Sequence, residues 1–191
     1  LISTLVTAFN PMCQPVPIAI TLGSNLSSEI GEPLDILEAA IDRLRQFPQL
    51  DRLVVSSWYR TAPIGPAQPD YYNGGAIALV PPTLSPQRFL QHLHHIEADY
   101  GRIRRERWGA RTLDLDLILW GDRIIATPTL TVPHPHFRDR AFVLVPLAEI
   151  APHWHDPQTQ LTIATLAREC PDTAIVQASK LTRTTHQYRE E

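Results

Sequence analysis

Apolar residues along the chain follow two rhythms, one of period two and one near 3.6, and the switches between them mark the elements. Val16–Leu22 is an apolar run closed by Gly23-Ser24-Asn25, the pattern of a buried strand ending in a turn. Pro33 suits a first helical position, and Leu34, Leu37, Ala40, Ile41, Leu44 and Phe47 follow at helical spacing until Pro48 stops the run. Leu53–Arg60, rich in β-branched and aromatic residues, predicts a second strand. Tyr72–Val80 predicts a third, antiparallel to it across the proline-rich loop Thr61–Asp70. Ser85-Pro86 opens a second helix with its stripe at Phe89, Leu90, Leu93, Ile96 and Tyr100, and Gly101 closes it. Alternation over Arg111–Trp120 predicts a fourth strand, ending at Gly121-Asp122. Ile124–Val132 predicts a further strand, confined to a sheet edge by Pro128. Arg140–Ile150 and Leu161–Glu169 predict two short helices; from Pro171 the chain turns polar, and its end, Thr182–Glu191, is expected to be disordered.

The resulting order, β-α-β-β-α-β followed by an extra strand and helices, is that of an α+β, ferredoxin-like fold: an antiparallel sheet with the two early helices on one face. Residues 1–15 read as a loose N-terminal extension, 16–170 as one domain and 171–191 as a polar C-terminal tail. At 191 residues the chain can bury a core without staples. Cys13 and Cys170 form no disulfide framework or cysteine zinc site, which favours a reducing, cytoplasmic setting. No apolar run reaches the ~18 residues of a membrane span. A net charge of −3 argues against nucleic acid or an anionic membrane as a bulk electrostatic partner.

Within that pattern the strand Arg111-Thr-Leu-Asp-Leu-Asp-Leu-Ile-Leu-Trp120 carries the strongest chemical signal. Leu113, Leu115, Leu117 and Leu119 are expected on one buried face, with Asp114, Asp116, Ile118 and Trp120 on the other. Two carboxylates side by side repel and raise each other's pKa unless a cation sits between them. Oxygen ligands alone, with no Cys or His at metal spacing, favour Mg²⁺. Upstream, residues 102–111 hold five arginines, suited to bidentate phosphate contact. A metal-binding acidic strand behind an arginine loop suggests a polyphosphate.

Weaker constellations surround this one. Tyr71 offers an aromatic face and Asn73 a donor–acceptor amide at the end of the proline-rich loop. His134-Pro-His136, followed by Arg138, Arg140 and Phe142, has no third zinc ligand at a recognised spacing and fits phosphate contact or plain surface better. The phosphate loop Gly-x-x-x-x-Gly-Lys-Ser/Thr, the dinucleotide Gly-x-Gly-x-x-Gly and the Gly-x-Ser-x-Gly elbow are all missing. A nucleotide triphosphate would therefore be held by metals and arginines.

Five segments, in order, are similar to the motifs of one family: Gly23–Leu26, Ser56–Pro63, Gln68–Asn73, Arg107–Asp116 and Val132–His134. Over about residues 16–152 the chain resembles the 6-hydroxymethyl-7,8-dihydropterin pyrophosphokinases. The resemblance implies an ATP-dependent transferase of folate biosynthesis, which moves the pyrophosphoryl group of ATP to the hydroxymethyl group of 6-hydroxymethyl-7,8-dihydropterin and releases AMP. It implies catalytic roles for Arg102, Arg111, Asp114 and Asp116, with the two aspartates holding two Mg²⁺ ions. Glu97, Arg104, Arg107, Trp108, His134 and Arg140 match positions around ATP. Asn73 would read the pterin edge, Tyr71 and Phe142 would sandwich the ring, and the backbone of Thr61 and Ile64 would add hydrogen bonds. His94 and Pro135 depart from the glutamine and aromatic more usual in the family. The expected partners are these small molecules alone, with no nucleic acid or membrane, and the expected state is a cytoplasmic monomer. Two rival classes are a nucleotidyltransferase, which would release pyrophosphate, and a ferredoxin-like RNA-binding module, which would need exposed sheet aromatics and whose binding the acidic pair disfavours.

Overall fold

A computed structural model describes residues 14–63, 67–102 and 109–172 and the backbone of Ile175–Gln177. Strand β1 (Val16–Ser24) is the centre of the fold, and helix α1 (Pro33–Arg45) follows it. Asp35 accepts the Glu32 N–H at 3.0 Å, holding the start of α1. Strands β2 (Asp51–Val55), β3 (Tyr59–Thr61) and β4 (Tyr71–Val80) come next. Helix α2 (Pro86–Asp99) is capped by Ser85, whose Oγ accepts the Arg88 N–H at 3.2 Å. Strand β5 (Asp114–Trp120) completes the β-α-β-β-α-β core. The sheet runs β5-β1-β4-β3-β8, with β2 pairing β4 beside β3, and all of these pairings are antiparallel. This is the predicted ferredoxin-like arrangement.

Three expectations about strands change. The strand predicted over Leu53–Arg60 is broken at Ser56–Trp58 into β2 and β3. The reason lies in Trp58, whose indole occupies the space beside Gly74, where a Cβ would stand 2.5 Å from the ring. Glu149 holds the break by accepting from the Ser57 N–H at 3.0 Å, Ser57 Oγ at 2.8 Å and the Tyr59 hydroxyl at 2.7 Å. Second, Ile124–Val132 does not join the main sheet. It folds on itself as the small hairpin β6 (Ile125–Ala126) and β7 (Thr131–Val132), with Pro128 in its turn and the Thr127 N–H bonded to the Leu130 carbonyl at 2.9 Å. Third, the sheet continues into the segment expected to be a polar tail, where β8 (Ile175–Gln177) pairs with β3.

Each sheet face has its own core. Against α1 and α2 lie Ile18, Ile20, Leu22, Leu113, Leu115, Leu117 and Trp120. On the opposite face Ala19, Ile118 and Leu119 pack with Phe137 and with helices α3 (Ala141–Ile150) and α4 (Ile163–Glu169). Helix α3 sits close on β4 because Gly75 has no side chain: a Cβ there would stand 3.2 Å from the Leu147 nitrogen. The expected division of β5 into two faces holds only for its first half. A register shift between Ala19 and Ile20 leaves Ile118 unpaired between Leu117 and Leu119. Such a bulge exchanges the faces downstream. Trp120 therefore joins the leucine face, and Leu119 moves to the face of the aspartates. Among the described residues no helix is long and apolar enough to cross a membrane.

Candidate active site

The first half of β5 alternates as expected, so Asp114 and Asp116 point away from α1 and α2 into a cleft of about 270 Å³. Burial, and then the adjacent Asp114, push the Asp116 carboxyl up to about 6, while Arg102, Arg140 and Arg111 pull the other way. Guanidinium groups hold Asp114 from two sides. Arg102 Nη2 reaches its Oδ1 at 2.7 Å, and Arg111 Nη1 bonds its Oδ2. Glu97, 2 % exposed, lies under the strand, where one carboxylate oxygen accepts the Leu115 N–H at 2.8 Å and pairs with Arg102. A buried carboxylate thus anchors the edge strand between the two aspartates.

The turn after β1 ties this acidic end to the rest of the cleft. The Asn25 and Leu26 N–H groups both donate to the Arg111 carbonyl, at 3.0 and 3.1 Å. The Asn25 side chain accepts the Arg111 N–H at 2.8 Å and donates to the Pro69 carbonyl at 3.0 Å and to Gln68 Oε1 at 3.1 Å. One asparagine therefore joins the segment carrying Arg111 to the proline-rich loop, and Ser24 Oγ adds a bond to the Thr112 carbonyl at 2.5 Å.

The rest of the cleft lining carries groups suited to a flat polar ring. Thr61 and Asn73 stand on β3 and β4, with Asn73 Nδ2 donating to Thr61 Oγ1 at 2.7 Å. Tyr71 and Phe142 line the same cleft, and the Tyr71 hydroxyl donates to the Gly109 carbonyl at 3.1 Å. Arg140 lies over the Phe142 ring, 5.6 Å from its centroid. His134 follows β7, and its N–H donates to the Ile118 carbonyl at 3.0 Å. Burial, and then Arg140, hold its imidazole down to about 4, so it is neutral near pH 7. Its Nδ1 accepts the His136 N–H at 3.2 Å, which assigns the proton to Nε2.

The cleft brings together Thr61, Tyr71, Asn73, Arg111, Asp114, Asp116, His134, Arg140 and Phe142 of the predicted site. Glu97 and Arg102 reach it through Asp114 and the β5 backbone and do not line it. Ile64, Arg104, Arg107 and Trp108 lie outside the described residues. Arg138 turns away to Asp156, with Nε and Nη2 each 2.7 Å from its carboxylate. Sequence reasoning left Thr21, Leu22, Gly23 and Ala62 out of the cleft and gave Asn25 no role of its own. The signal for Gly23 and Asn25 was the Gly-Ser-Asn turn, read as the end of a strand and as a family motif but given no part in the cleft.

Residues 19–152 match the sequence profile of 7,8-dihydro-6-hydroxymethylpterin-pyrophosphokinase (HPPK). A protein of Synechocystis sp. named 2-amino-4-hydroxy-6-hydroxymethyldihydropteridine pyrophosphokinase is 49 % identical over 150 residues, covering 78 % of this chain and 76 % of that one. A protein of the same name from Pseudomonas aeruginosa is 41 % identical over 155 residues, 81 % of this chain and 91 % of its own. The fold is similar to Plasmodium falciparum HPPK-DHPS solved with pteroate, with a TM-score of 0.63 at 13 % identity over 82 % of this chain. This chain spans under half of that larger one, 44 %. The matched span includes the Gly-Ser-Asn turn, the proline-rich loop and the acidic strand, and the chain belongs to the 7,8-dihydro-6-hydroxymethylpterin-pyrophosphokinase family.

Proposed function

We infer that the protein transfers the pyrophosphoryl group of ATP to the hydroxymethyl oxygen of 6-hydroxymethyl-7,8-dihydropterin and releases AMP, as the pyrophosphokinase of folate biosynthesis. The single observation that carries this is the lining of the cleft. Paired carboxylates and arginines share it with an asparagine amide and the aromatic rings of Tyr71 and Phe142. That arrangement suits a polyphosphate beside a flat heterocycle. In the reaction the alcohol oxygen forms a bond to the β-phosphorus, the bond from that phosphorus to the α–β bridging oxygen breaks, and AMP leaves with the bridging oxygen. The alcohol proton is lost, and we assign Asp116 as the carboxylate that accepts it.

The donor set fits magnesium. Among the described residues no cluster of three or more His, Cys, Asp or Glu could form a complete metal cage. Mg²⁺ is commonly held by one or two carboxylates and completed by substrate phosphates, which is what Asp114 and Asp116 offer. When bound, two Mg²⁺ ions would neutralise phosphate charge and polarise the transferring group. The chain's own residues supply the rest. Arg111 and Arg102, drawn off Asp114, would move to phosphate oxygens, and Arg140 adds a third guanidinium. His134 can donate from Nε2 without being charged. Arg104, Arg107 and Trp108 are assigned to closing the nucleotide side, and Ile64 to backbone contact with the pterin. Placing the alcohol in line with phosphorus and excluding water account for most of the acceleration. We assign this activity to a domain over residues 16–170, acting as a cytoplasmic monomer with no nucleic-acid or membrane partner.

Phosphorus-31 NMR of the products from ATP, Mg²⁺ and the pterin alcohol tests the reading. AMP and a pterin diphosphate are expected; free pyrophosphate with an adenylated pterin would replace it with a nucleotidyltransferase.

A further inference from the structure

Resting on that reading, one contact from the far end of the chain bears on how Arg140 is held. Arg140 is an extended residue between a short 3-10 turn, Phe137–Asp139, and helix α3. It occupies the N-cap position of α3, yet its side chain makes no capping bond. The guanidinium lines the cleft instead, together with Asp114 and Asp116, and lies over the Phe142 ring. A helix whose cap side chain is engaged elsewhere needs another acceptor for its first N–H groups. Asp172 supplies one from 31 residues further along the chain, where its Oδ2 accepts the Ala141 N–H at 2.9 Å. A carboxylate at that place also meets the positive end of the helix.

The body of α3 has separate anchors. Near its C-terminal end Glu149 accepts from Ser57 and Tyr59, and Leu147 packs over Gly75. Before Arg140, the Arg138 guanidinium is fixed to Asp156 by two bonds of 2.7 Å. The chain beyond Asp172 is tied down as well, because β8 pairs with β3 at Arg60 and Thr61. Asp172 therefore acts on one peptide, the link from Arg140 to Ala141. The carbonyl of that peptide accepts the Val143 and Leu144 N–H groups at 3.1 and 3.0 Å, and its N–H donates to Asp172. With both edges bonded, the peptide fixes the direction in which the Arg140 side chain leaves the backbone.

We propose that Asp172 is a positioning residue for the phosphate side of the reaction: it caps α3 in place of Arg140 and so keeps the Arg140 guanidinium in the cleft. Without an acceptor at position 172 the first turn of α3 loosens while the helix body stays where it is. Arg140 then samples a wider range, and less of its charge falls on the phosphate oxygens. A small misplacement of a charged group is enough to slow a reaction that depends on positioning.

The test is a double-mutant cycle in the full chain, read as kcat/KM for ATP at saturating pterin. Asp172→Ala should lower kcat/KM about tenfold. In an Arg140→Ala background the same change should cost less than about twofold, because the side chain it positions is gone. Asp172→Asn, which keeps an acceptor oxygen, should restore most of the wild-type value. Asp172→Gly is a second acceptor-free variant should Asp172→Ala fold poorly, and circular-dichroism melts report folding in each. The same factor lost in both backgrounds would make Asp172 a general stabiliser and overturn the proposal. Wild-type kcat/KM in a folded acceptor-free variant, or no rescue by Asp172→Asn, would overturn it too. If wild type itself makes no pterin-dependent AMP, it is the reading of the site that falls.

Discussion

Asp116→Asn should stabilise the metal-free protein while removing its turnover. Burial and Asp114 push the Asp116 carboxyl from 3.8 to about 6, so the folded chain holds that proton more tightly than the unfolded chain does. Linkage then fixes the sign: the penalty is absent well below pH 3.8, grows as pH rises, and is complete above about 6. The difference between about 6 and 3.8 is about two pKa units, or ~3 kcal/mol at ~1.36 kcal/mol per unit. Water in the open cleft screens the charge, which brings the expected gain to ~1–3 kcal/mol. With an m-value near ~2 kcal/mol/M, the urea midpoint in chelator at about pH 7.5 should rise by ~0.5–1.5 M. Near pH 4.5 the same shift predicts roughly one-third of the gain. A variant less stable than wild type at about pH 7.5, or a gain that ignores pH, would refute the claim that uncompensated charge is stored at the acidic pair.

Arg138→Ala should strand Asp156, which is 0 % exposed and whose pKa is held down because bonds from Arg138, Thr159 and Gln158 outweigh its burial. A loss near ~3 kcal/mol is expected by thermal unfolding at neutral pH. That depressed carboxyl contributes stability above its unfolded pKa, so the gap to wild type should narrow as pH falls and Asp156 protonates. Gly23→Ala, with its new Cβ 2.7 Å from Asn73 Oδ1, should raise KM for the pterin about tenfold and leave KM for ATP nearly constant; the reverse split in steady-state kinetics would contradict the placement of Asn73. Arg111→Ala should lower kcat by ~10²-fold with a smaller change in pterin affinity, measured by single-turnover kinetics and ligand titration, because its charge acts on the transferring phosphate.

The chemistry of the site was more legible in sequence than its framing. Period-two alternation identified Asp114 and Asp116 as neighbours on one face, because nothing interrupts the pleat between them. The same alternation misassigned Leu119 and Trp120, since a bulge at Ile118 is set by pairing with β1, which local pattern does not encode. The break between β2 and β3 depends on Trp58 filling the gap above Gly74 on another strand. A proline and two small elements could not reveal whether Ile124–Val132 would extend the sheet or close on itself, because two-residue strands carry almost no periodic signal. Glu97 entered the site through the resemblance alone, because Leu115 and Arg102, which it meets, come from the following strand and loop. Resemblance supplied the substrates, and geometry supplied how Asn25, Thr61 and Gly23 hold the residues that would meet them.

The most direct measurement is AMP release from ATP and Mg²⁺ with and without 6-hydroxymethyl-7,8-dihydropterin, in wild type and in Asp114→Ala. The account predicts one AMP per pterin alcohol consumed by wild type, almost none without the pterin, and almost none from Asp114→Ala despite a folded chain. AMP formed equally without the pterin, or near-normal turnover in Asp114→Ala, would contradict it.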